Sequence, residues 1–306
     1  MPHKLIIIGS GPAALTAAIY AARAELSPLV LEGAIPGGPL VLGDYRIENY
    51  PGFANGVLGG ELIEAMRTQA KNAGAKFESV EATSVDFKNR PFTVFGGDEK
   101  YQAEAVIIAT GSEARKLGIE SEARFVGRGI SYCATCDGPL FKKKKVIVLG
   151  GGNSAFHEAQ LLSEIAAEVI MLDTADFSFA SEAVLNHAKS NPKIKLLLHT
   201  EIKDFIGDKK VEKVKIYNHK TKKEGELAAD GVFISIGRTP ATKIFQGQLK
   251  IKDGYIVTEC DNTKTDIPGV FAAGDAVDAV YRQAIVAAGR GSMAAIDAKK
   301  YLSGIK

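Results

Sequence analysis

The sequence predicts an α/β protein built on two copies of one βαβ unit, and three observations lead there. Two short apolar runs, Leu5-Ile6-Ile7-Ile8 and Val146-Ile147-Val148-Leu149, each lead into a glycine turn and then a helical pattern. Each helix is followed by a second apolar run that ends in an acid. That acid lies 23 positions after the first glycine of its turn in both copies, Gly9 to Glu32 and Gly150 to Asp173. Short runs that are apolar throughout, rather than alternating, are the pattern of parallel strands covered on both faces.

In the first copy the turn is Gly9-Ser10-Gly11-Pro12-Ala13-Ala14, a helix is expected over Leu15 to Ala24, and Leu29-Val30-Leu31 forms the second strand. The first glycine of such a turn permits the tight bend. The second lets the backbone approach a pyrophosphate at the helix N-terminus, and the small Ala14 lets helix and strand pack closely. Glu32 stands where a carboxylate accepts hydrogen bonds from a ribose diol. The second copy reads Gly150-Gly151-Gly152-Asn153-Ser154-Ala155, a helix to about Ile165, Val169-Ile170-Met171-Leu172 and Asp173. One isolated glycine turn is as often structural as functional. Two complete units with equal internal spacing predict two dinucleotide sites and two Rossmann-like domains.

The rest of the chain fits that plan. Val106-Ile107-Ile108-Ala109-Thr110-Gly111 and Val232-Phe233-Ile234-Ser235-Ile236-Gly237 are matched strand-to-glycine endings, one late in each half. Lys76 to Phe95 and Lys193 to Tyr217 are β-rich with turn residues. Gly269-Val270-Phe271-Ala272-Ala273-Gly274-Asp275 is a strand ending in Gly-Asp, and Arg282 to Leu302 reads as a closing helix despite Gly289 and Gly291.

Cys133-Ala134-Thr135-Cys136, followed by Asp137, has the spacing of a redox dithiol and also of half a zinc site. A structural zinc site needs four ligands. The chain has no second Cys-x-x-Cys, Cys260 stands alone, and the five histidines show no paired metal spacing, so no metal site is expected. In a redox pair one sulfur takes electrons and the other attacks a substrate disulfide, while an adjacent acid such as Asp137 moves the proton. Asp137 also reads as a turn residue before Gly138-Pro139, and Cys260 as a small strand or turn residue.

With 306 residues the length allows about two domains. The 38 basic and 36 acidic residues leave a net charge of +2, which gives no general pull toward nucleic acid or membrane. Lys142 to Lys145 is a local exception, read as a solvated turn leading into a strand rather than a docking patch for an electron carrier. Three cysteines are too few for a secreted disulfide framework, and one working pair suits the reducing cytoplasm. No apolar run approaches the ~20 residues that cross a bilayer. The first 24 residues have some features of a signal peptide, but the short run to Ile8 ends in a glycine turn, which argues for a strand.

Taken together, Gly9 to Ala14, Glu48-Asn49-Tyr50-Pro51-Gly52, Ala109-Thr110-Gly111, Cys133-Ala134-Thr135-Cys136-Asp137-Gly138, Gly150 to Ala155, Gly274-Asp275 and Tyr281-Arg282-Gln283-Ala284 resemble the bacterial low-molecular-weight thioredoxin reductases over nearly the whole chain. The dithiol inside the second dinucleotide domain is the specific mark that separates this family from the larger glutathione-reductase-like enzymes. The resemblance implies an α/β fold of two Rossmann-like, three-layer ββα domains, the second inserted in the first. An FAD domain would comprise 1–113 and 245–306, and a nicotinamide domain 114–244. FAD contacts would then fall on Gly9, Ser10, Gly11, Pro12, Ala13, Ala14, Glu32, Gly38, Pro39, Leu40, Asn49, Ala82, Thr110, Gly111, Gly274, Asp275, Arg282, Gln283 and Ala284. The nicotinamide would be held by Gly150, Gly152, Asn153, Ser154, Ala155, Asp173 and Gly237. By the same resemblance Cys136 faces the flavin and Cys133 exchanges with thioredoxin or a thioredoxin-like protein. The resemblance also implies that the inserted domain turns between two poses and that the protein is a homodimer.

Two stretches depart from the family pattern. Where it reads the NADPH 2′-phosphate with a His-Arg-Arg run and a further Arg, this chain has Asp173-Thr174-Ala175-Asp176-Phe177-Ser178-Phe179. Arginine serves that phosphate through two parallel charge-assisted hydrogen bonds, whereas Asp173 can accept the 2′-hydroxyl and repels a phosphate. NADH is therefore expected over NADPH. Near the flavin, Gly-Gly-Gln-Leu is replaced by Gly37-Gly38-Pro39-Leu40, with Tyr45 either near the isoalloxazine or on an exposed loop. Proline removes a backbone donor there. The expected activity is a flavoprotein reductase carrying electrons from NADH through FAD and Cys133–Cys136 to a thioredoxin-like protein. The alternatives are a ferredoxin-reduced enzyme or dithiol oxidase of the same fold, and a non-catalytic dinucleotide-binding redox sensor.

Overall fold

The computed structural model describes residues 1–33, 36–41, 46–175 and 182–304. The chain divides into two compact units, Met1–Glu113 with Thr239–Lys306, and Ala114–Arg238.

In the first unit the strand His3–Ile8 lies between Leu29–Leu31 and Glu99–Ile108, all parallel, with Ile6 beside both Leu29 and Val106. Lys76–Glu78 extends this sheet at one edge and Val270–Ala272 at the other, again parallel. Glu99–Ile108 is long enough to serve two partners. Its last residues pair with the parallel strands, and its first residues pair antiparallel with Phe92–Gly96, which in turn pairs with Ala82–Asp86. The first strand shows why its run is apolar throughout. Leu5 and Ile7 point into a core shared with the helices, while Ile6 and Ile8 point into a second core with Val85, Phe87, Phe92 and Val94. Each fully buried side chain of this size contributes about 1.5–3 kcal/mol. Helix layer, parallel sheet and antiparallel ribbon make a three-layer ββα unit.

The second unit repeats the arrangement. Its parallel sheet runs Ile130–Ser131, Gly231–Ile234, Lys145–Leu149, Glu168–Leu172, Ile194–Leu197. Val146 and Val148 face the helix Asn153–Ile165 through Ala155, Phe156 and Ala159. Ile147 and Leu149 face the antiparallel sheet of Thr200–Ile206, Lys213–Asn218 and Lys223–Ala228 through Ile202, Phe205 and Val214.

The helix Pro12–Arg23 begins three residues earlier than Leu15, because proline at the first helical position loses no hydrogen bond and has its φ already set. The closing helix, Ala284–Leu302, begins two residues later than Arg282. Arg282 has φ +49°, and the carboxylate of Asp278 accepts the N–H groups of Val280, Tyr281 and Arg282, which holds this stretch out of the helix. Gly291, a weak spot in the helical pattern, has a packing reason: a Cβ there would lie 2.1 Å from the carbonyl oxygen of Ala13. The chain returns to the first unit at Thr239, ahead of residue 245. Phe245 is fully buried in the core under the antiparallel ribbon, and Thr242 Oγ1 donates to Gly254 O at 2.6 Å. Among the described residues no helix is long and apolar enough to cross a membrane.

Candidate functional site

Both glycine turns are built the same way. Gly9 (φ +123°) donates its N–H to Leu31 O at 2.9 Å, and Gly150 (φ +140°) donates to Leu172 O at 2.9 Å. A Cβ at Gly9 would stand 2.2 Å from Ala109 O, and one at Gly150 would stand 2.3 Å from Ser235 O. Only glycine fits either place, because an added methyl would overlap a carbonyl that is already fixed in the sheet. Beyond each bend the situation reverses: a Cβ at Gly11 or Gly152 would meet nothing within 4 Å. These glycines cap helices that receive no side-chain cap hydrogen bond. The first-turn N–H groups of a helix have no intrahelical acceptor, so each turn offers donors and a positive dipole end to an anion over open ground. The third small residues, Ala14 and Ala155, are fully buried between helix and sheet. Ser154 and Asn153 lie on the first turn of the second helix.

The turn of the first unit is tied to its surroundings. Ser10 Oγ donates to Glu32 O at 2.7 Å and accepts from Gly37 N at 2.9 Å, which brings Ser10, Glu32 and the Gly38 turn together. Gly38, Pro39 and Leu40 form a short 3-10 turn. Pro12 and Ala13 are buried at the helix start, and Ala82 starts the outer ribbon strand, opposite Gly96. Asn49 Nδ2 donates to Gln283 Oε1 at 3.2 Å, which joins two predicted contacts far apart in sequence. Ser112 Oγ donates to Asp275 Oδ2 at 3.0 Å. Thr110 Oγ1 donates to Ala241 O at 2.7 Å, Gly111 has φ +72°, and Gly274 (φ +72°) opens the 3-10 turn that carries Asp275. Ala284 is the first residue of the closing helix. Asp278 was not among the predicted site residues, although it organises the Arg282 loop. Its only sequence signal is an acid ahead of three donors that no helix yet uses.

The acids that end the second strands differ. The Glu32 side chain is 1% exposed, and both its oxygens accept from Arg67, Nε to Oε1 at 2.6 Å and Nη2 to Oε2 at 2.7 Å. Arg67 lies 5.1 Å from the centre of the Phe77 ring, and its hydrogen bond to Glu32 raises the guanidinium pKa further above its ordinary value. Sequence reading missed Arg67, since nothing in a helical pattern says which strand end a cation will reach. Asp173 is half-buried. Its Oδ1 accepts from Ala175 N at 3.3 Å, while its Oδ2 is buried and has no hydrogen-bond partner among the described residues. Tyr45 and residues 176–179 lie outside the described residues.

In the second unit Cys133 and Cys136 are joined as a disulfide. Cys133 is extended and caps the short helix Ala134–Asp137, and its Sγ accepts the N–H of Cys136 at 3.2 Å. Asp137, expected as the proton-moving acid and as a turn residue before Gly138-Pro139, is buried, and Ser131 Oγ donates to its Oδ2 at 2.5 Å. Ser131 also accepts from Cys133 N at 3.0 Å, so one hydroxyl links the acid to the cysteine backbone. Gly237 (φ +100°) follows the strand Gly231–Ile234 beside the Arg115 side chain. Lys142, Lys143 and Lys144 are exposed ahead of the strand that Lys145 begins, and Cys260 is a free, exposed turn residue. Among the described residues no group of three or more His, Cys, Asp or Glu side chains could hold a metal ion.

Two such cradles and a disulfide are the parts of one known family, and the family model for pyridine nucleotide-disulphide oxidoreductases matches residues 3–291. The chain belongs to that family. A pyridine nucleotide-disulphide oxidoreductase works with a flavin, a nicotinamide dinucleotide and a redox-active disulfide. A thioredoxin reductase of Rickettsia bellii is 48% identical over 306 residues, covering 98% of this chain and 98% of its own. One of Dictyostelium discoideum is 44% identical, covering 99% and 98%. The solved thioredoxin reductase of Giardia duodenalis superposes with a TM-score of 0.93 at 38% identity, covering 99% of this chain and 100% of that one. The open ground over Gly11 fits a bound dinucleotide pyrophosphate, and Asp173 Oδ2, which has no hydrogen-bond partner among the described residues, fits an adenosine ribose hydroxyl donor at the second cradle.

Proposed function

We propose that this chain is an FAD-dependent thioredoxin-disulfide reductase fed by NADH in preference to NADPH, with FAD on the first unit and NADH on the second. The observation that carries the nicotinamide preference is Asp173. It ends the second strand with a buried oxygen that has no hydrogen-bond partner among the described residues, and no Lys or Arg occurs from Asp173 to Phe179. An adenosine ribose bearing a free 2′-hydroxyl would satisfy that oxygen. A 2′-phosphate would instead set two negative charges against each other.

FAD is assigned to the Gly9–Ala14 turn with Glu32, the Gly38–Leu40 turn, Asn49, Ala82, Thr110, Gly111, Gly274, Asp275 and Arg282 to Ala284. NADH is assigned to the Gly150–Ala155 turn, Asp173 and Gly237. When bound, the flavin supplies the two-electron relay between nicotinamide and disulfide. Two electrons and a proton open the Cys133–Cys136 bond to one thiolate and one thiol, and Asp137 moves the proton. The Cys136 N–H, which donates to Cys133 Sγ in the disulfide, would offset the negative charge on that sulfur once the bond opens. That thiolate attacks a disulfide of the partner protein and forms a mixed disulfide while the partner's second sulfur leaves. Cys136, deprotonated, then attacks Cys133 Sγ, which restores the internal disulfide and releases the partner as a dithiol. The thioredoxin reductase names of relatives at 44–48% identity support thioredoxin or a thioredoxin-like protein as that partner.

The assignment extends to a cytoplasmic homodimer. Support for the dimer is a row of exposed apolar side chains along the closing helix, Ile285, Met293 and Ile296, with Tyr20 alongside. Support for the compartment is the cysteine usage, with one working pair and one free thiol. Anaerobic titration with each nicotinamide tests the reading: NADH bleaches the oxidised flavin at lower concentration than NADPH, and added thioredoxin recolours it. A clear NADPH preference overturns the nicotinamide assignment. Bleaching by neither moves the electron donor elsewhere.

A further inference from the structure

The two carboxylates that close the βαβ units ask different things of their surroundings. Asp173 is half-buried, and one of its oxygens has no hydrogen-bond partner among the described residues. Glu32 is 1% exposed, and a charge so deeply buried is retained only when paired. Its partner is Arg67, which reaches over from the helix Gly59–Asn72 and presents two N–H donors side by side. The guanidinium is itself fixed by stacking against Phe77, on the neighbouring strand Lys76–Glu78.

A carboxylate has about four lone-pair sites on its two oxygens. The Arg67 fork occupies one on each, so among the described residues one on each remains. Two acceptor sites held a fixed distance apart match the two adjacent hydroxyls of a ribose. The fork also sets the rotation of the carboxyl group, so that these sites are aimed before the ligand arrives. Finally, the cation offsets the negative charge of Glu32, which sits one strand end away from the turn proposed to hold a doubly charged pyrophosphate.

We infer that Arg67 is a positioning residue for the adenosine half of the dinucleotide on the first unit, acting through Glu32 rather than by touching the ligand. The inference rests on the reading of that unit as the FAD site. The consequence is selective. FAD carries the adenosine ribose and FMN does not, so Arg67 governs the affinity for FAD and leaves that for FMN alone.

The experiment strips flavin from the full-length protein and titrates the apo-protein with FAD and with FMN, following the quenching of flavin fluorescence. Arg67→Met weakens FAD at least tenfold, about 1.4 kcal/mol, and shifts FMN less than twofold. Arg67→Lys, which keeps the charge but not the fork, recovers part of the loss and also serves should the methionine variant fold poorly. In a Glu32→Gln background, Arg67→Met adds little further loss, since the group through which it acts is already altered. Equal losses for FAD and FMN, or an unchanged FAD affinity, overturn the inference and leave the FAD assignment standing. A wild-type apo-protein that takes up no FAD overturns that assignment, and the inference falls with it.

Discussion

The two halves of this molecule are the same machine assembled from different stretches of chain. Each has a parallel sheet with the βαβ unit at its centre, a helix on one face and an antiparallel ribbon on the other. The edge strand beyond the strand-to-glycine ending, however, comes from opposite directions. In the first unit it is Val270–Ala272, which arrives from the far end of the chain. In the second it is Ile130–Ser131, which precedes the unit and leads into the disulfide. A sheet accepts either source, because a parallel edge strand needs only matched N–H and C=O groups and an apolar face. The ribbons differ too: that of the first unit grows out of the long strand Glu99–Ile108, and that of the second is a separate sheet. What the contrast teaches is that the cradle is repeated faithfully while its surroundings are adapted, to a paired acid in one half and to sulfur chemistry in the other.

The sharpest break of this comparison is at the sulfurs. Cys133→Ser removes chemistry found only in the second unit. Disulfide turnover falls at least about a thousandfold, while the flavin absorbance stays. A variant that loses its colour would show the two halves are not separable in this way.

The bends come next. Gly9→Ala and Gly150→Ala each drive a methyl onto a sheet carbonyl at a positive φ, and each costs on the order of 3 kcal/mol or more, read as a lowered midpoint in urea unfolding. Gly11→Ala and Gly152→Ala meet no protein atom. They leave unfolding within about 0.5 kcal/mol and instead weaken the dinucleotide of their own unit. Parallel results in both halves sharpen the equivalence, and a tolerated Gly150→Ala would break it.

The strand-end acids should show a smaller effect. Asp173→Asn lowers kcat/KM for NADH by roughly tenfold to a hundredfold, the value of one or two hydrogen bonds to a charged group, and narrows the gap to NADPH. Steady-state kinetics with both cofactors read this directly, and an unchanged ratio would count against the carboxylate.

The most local effect is that of Asp278→Ala. Three backbone N–H groups of the first unit lose their acceptor, which costs about 1–3 kcal/mol, confined to the loop before the closing helix. Hydrogen exchange over residues 278–284 should quicken, with the rest of the unit protected as before.

Much of this was legible in the order of residues alone. An apolar run, a glycine bend, a helix and an acid at fixed spacing encode a local unit, because each piece touches its neighbours along the chain; the repeat, the strands His3–Ile8 and Lys145–Leu149 and the Cys133–Cys136 pair all belong to that kind. Contacts between distant segments carry no such spacing. Arg67 beneath Glu32, Ser131 between Asp137 and Cys133, Asn49 against Gln283, and Gly291 against Ala13 depend on which elements the folded sheet brings side by side. The sequence therefore determined where the cradles and the sulfurs are, through local periodicity and steric need. Only the tertiary structure decided which acid is neutralised and which keeps an oxygen without a partner among the described residues, because burial and charge pairing are settled by neighbours in space.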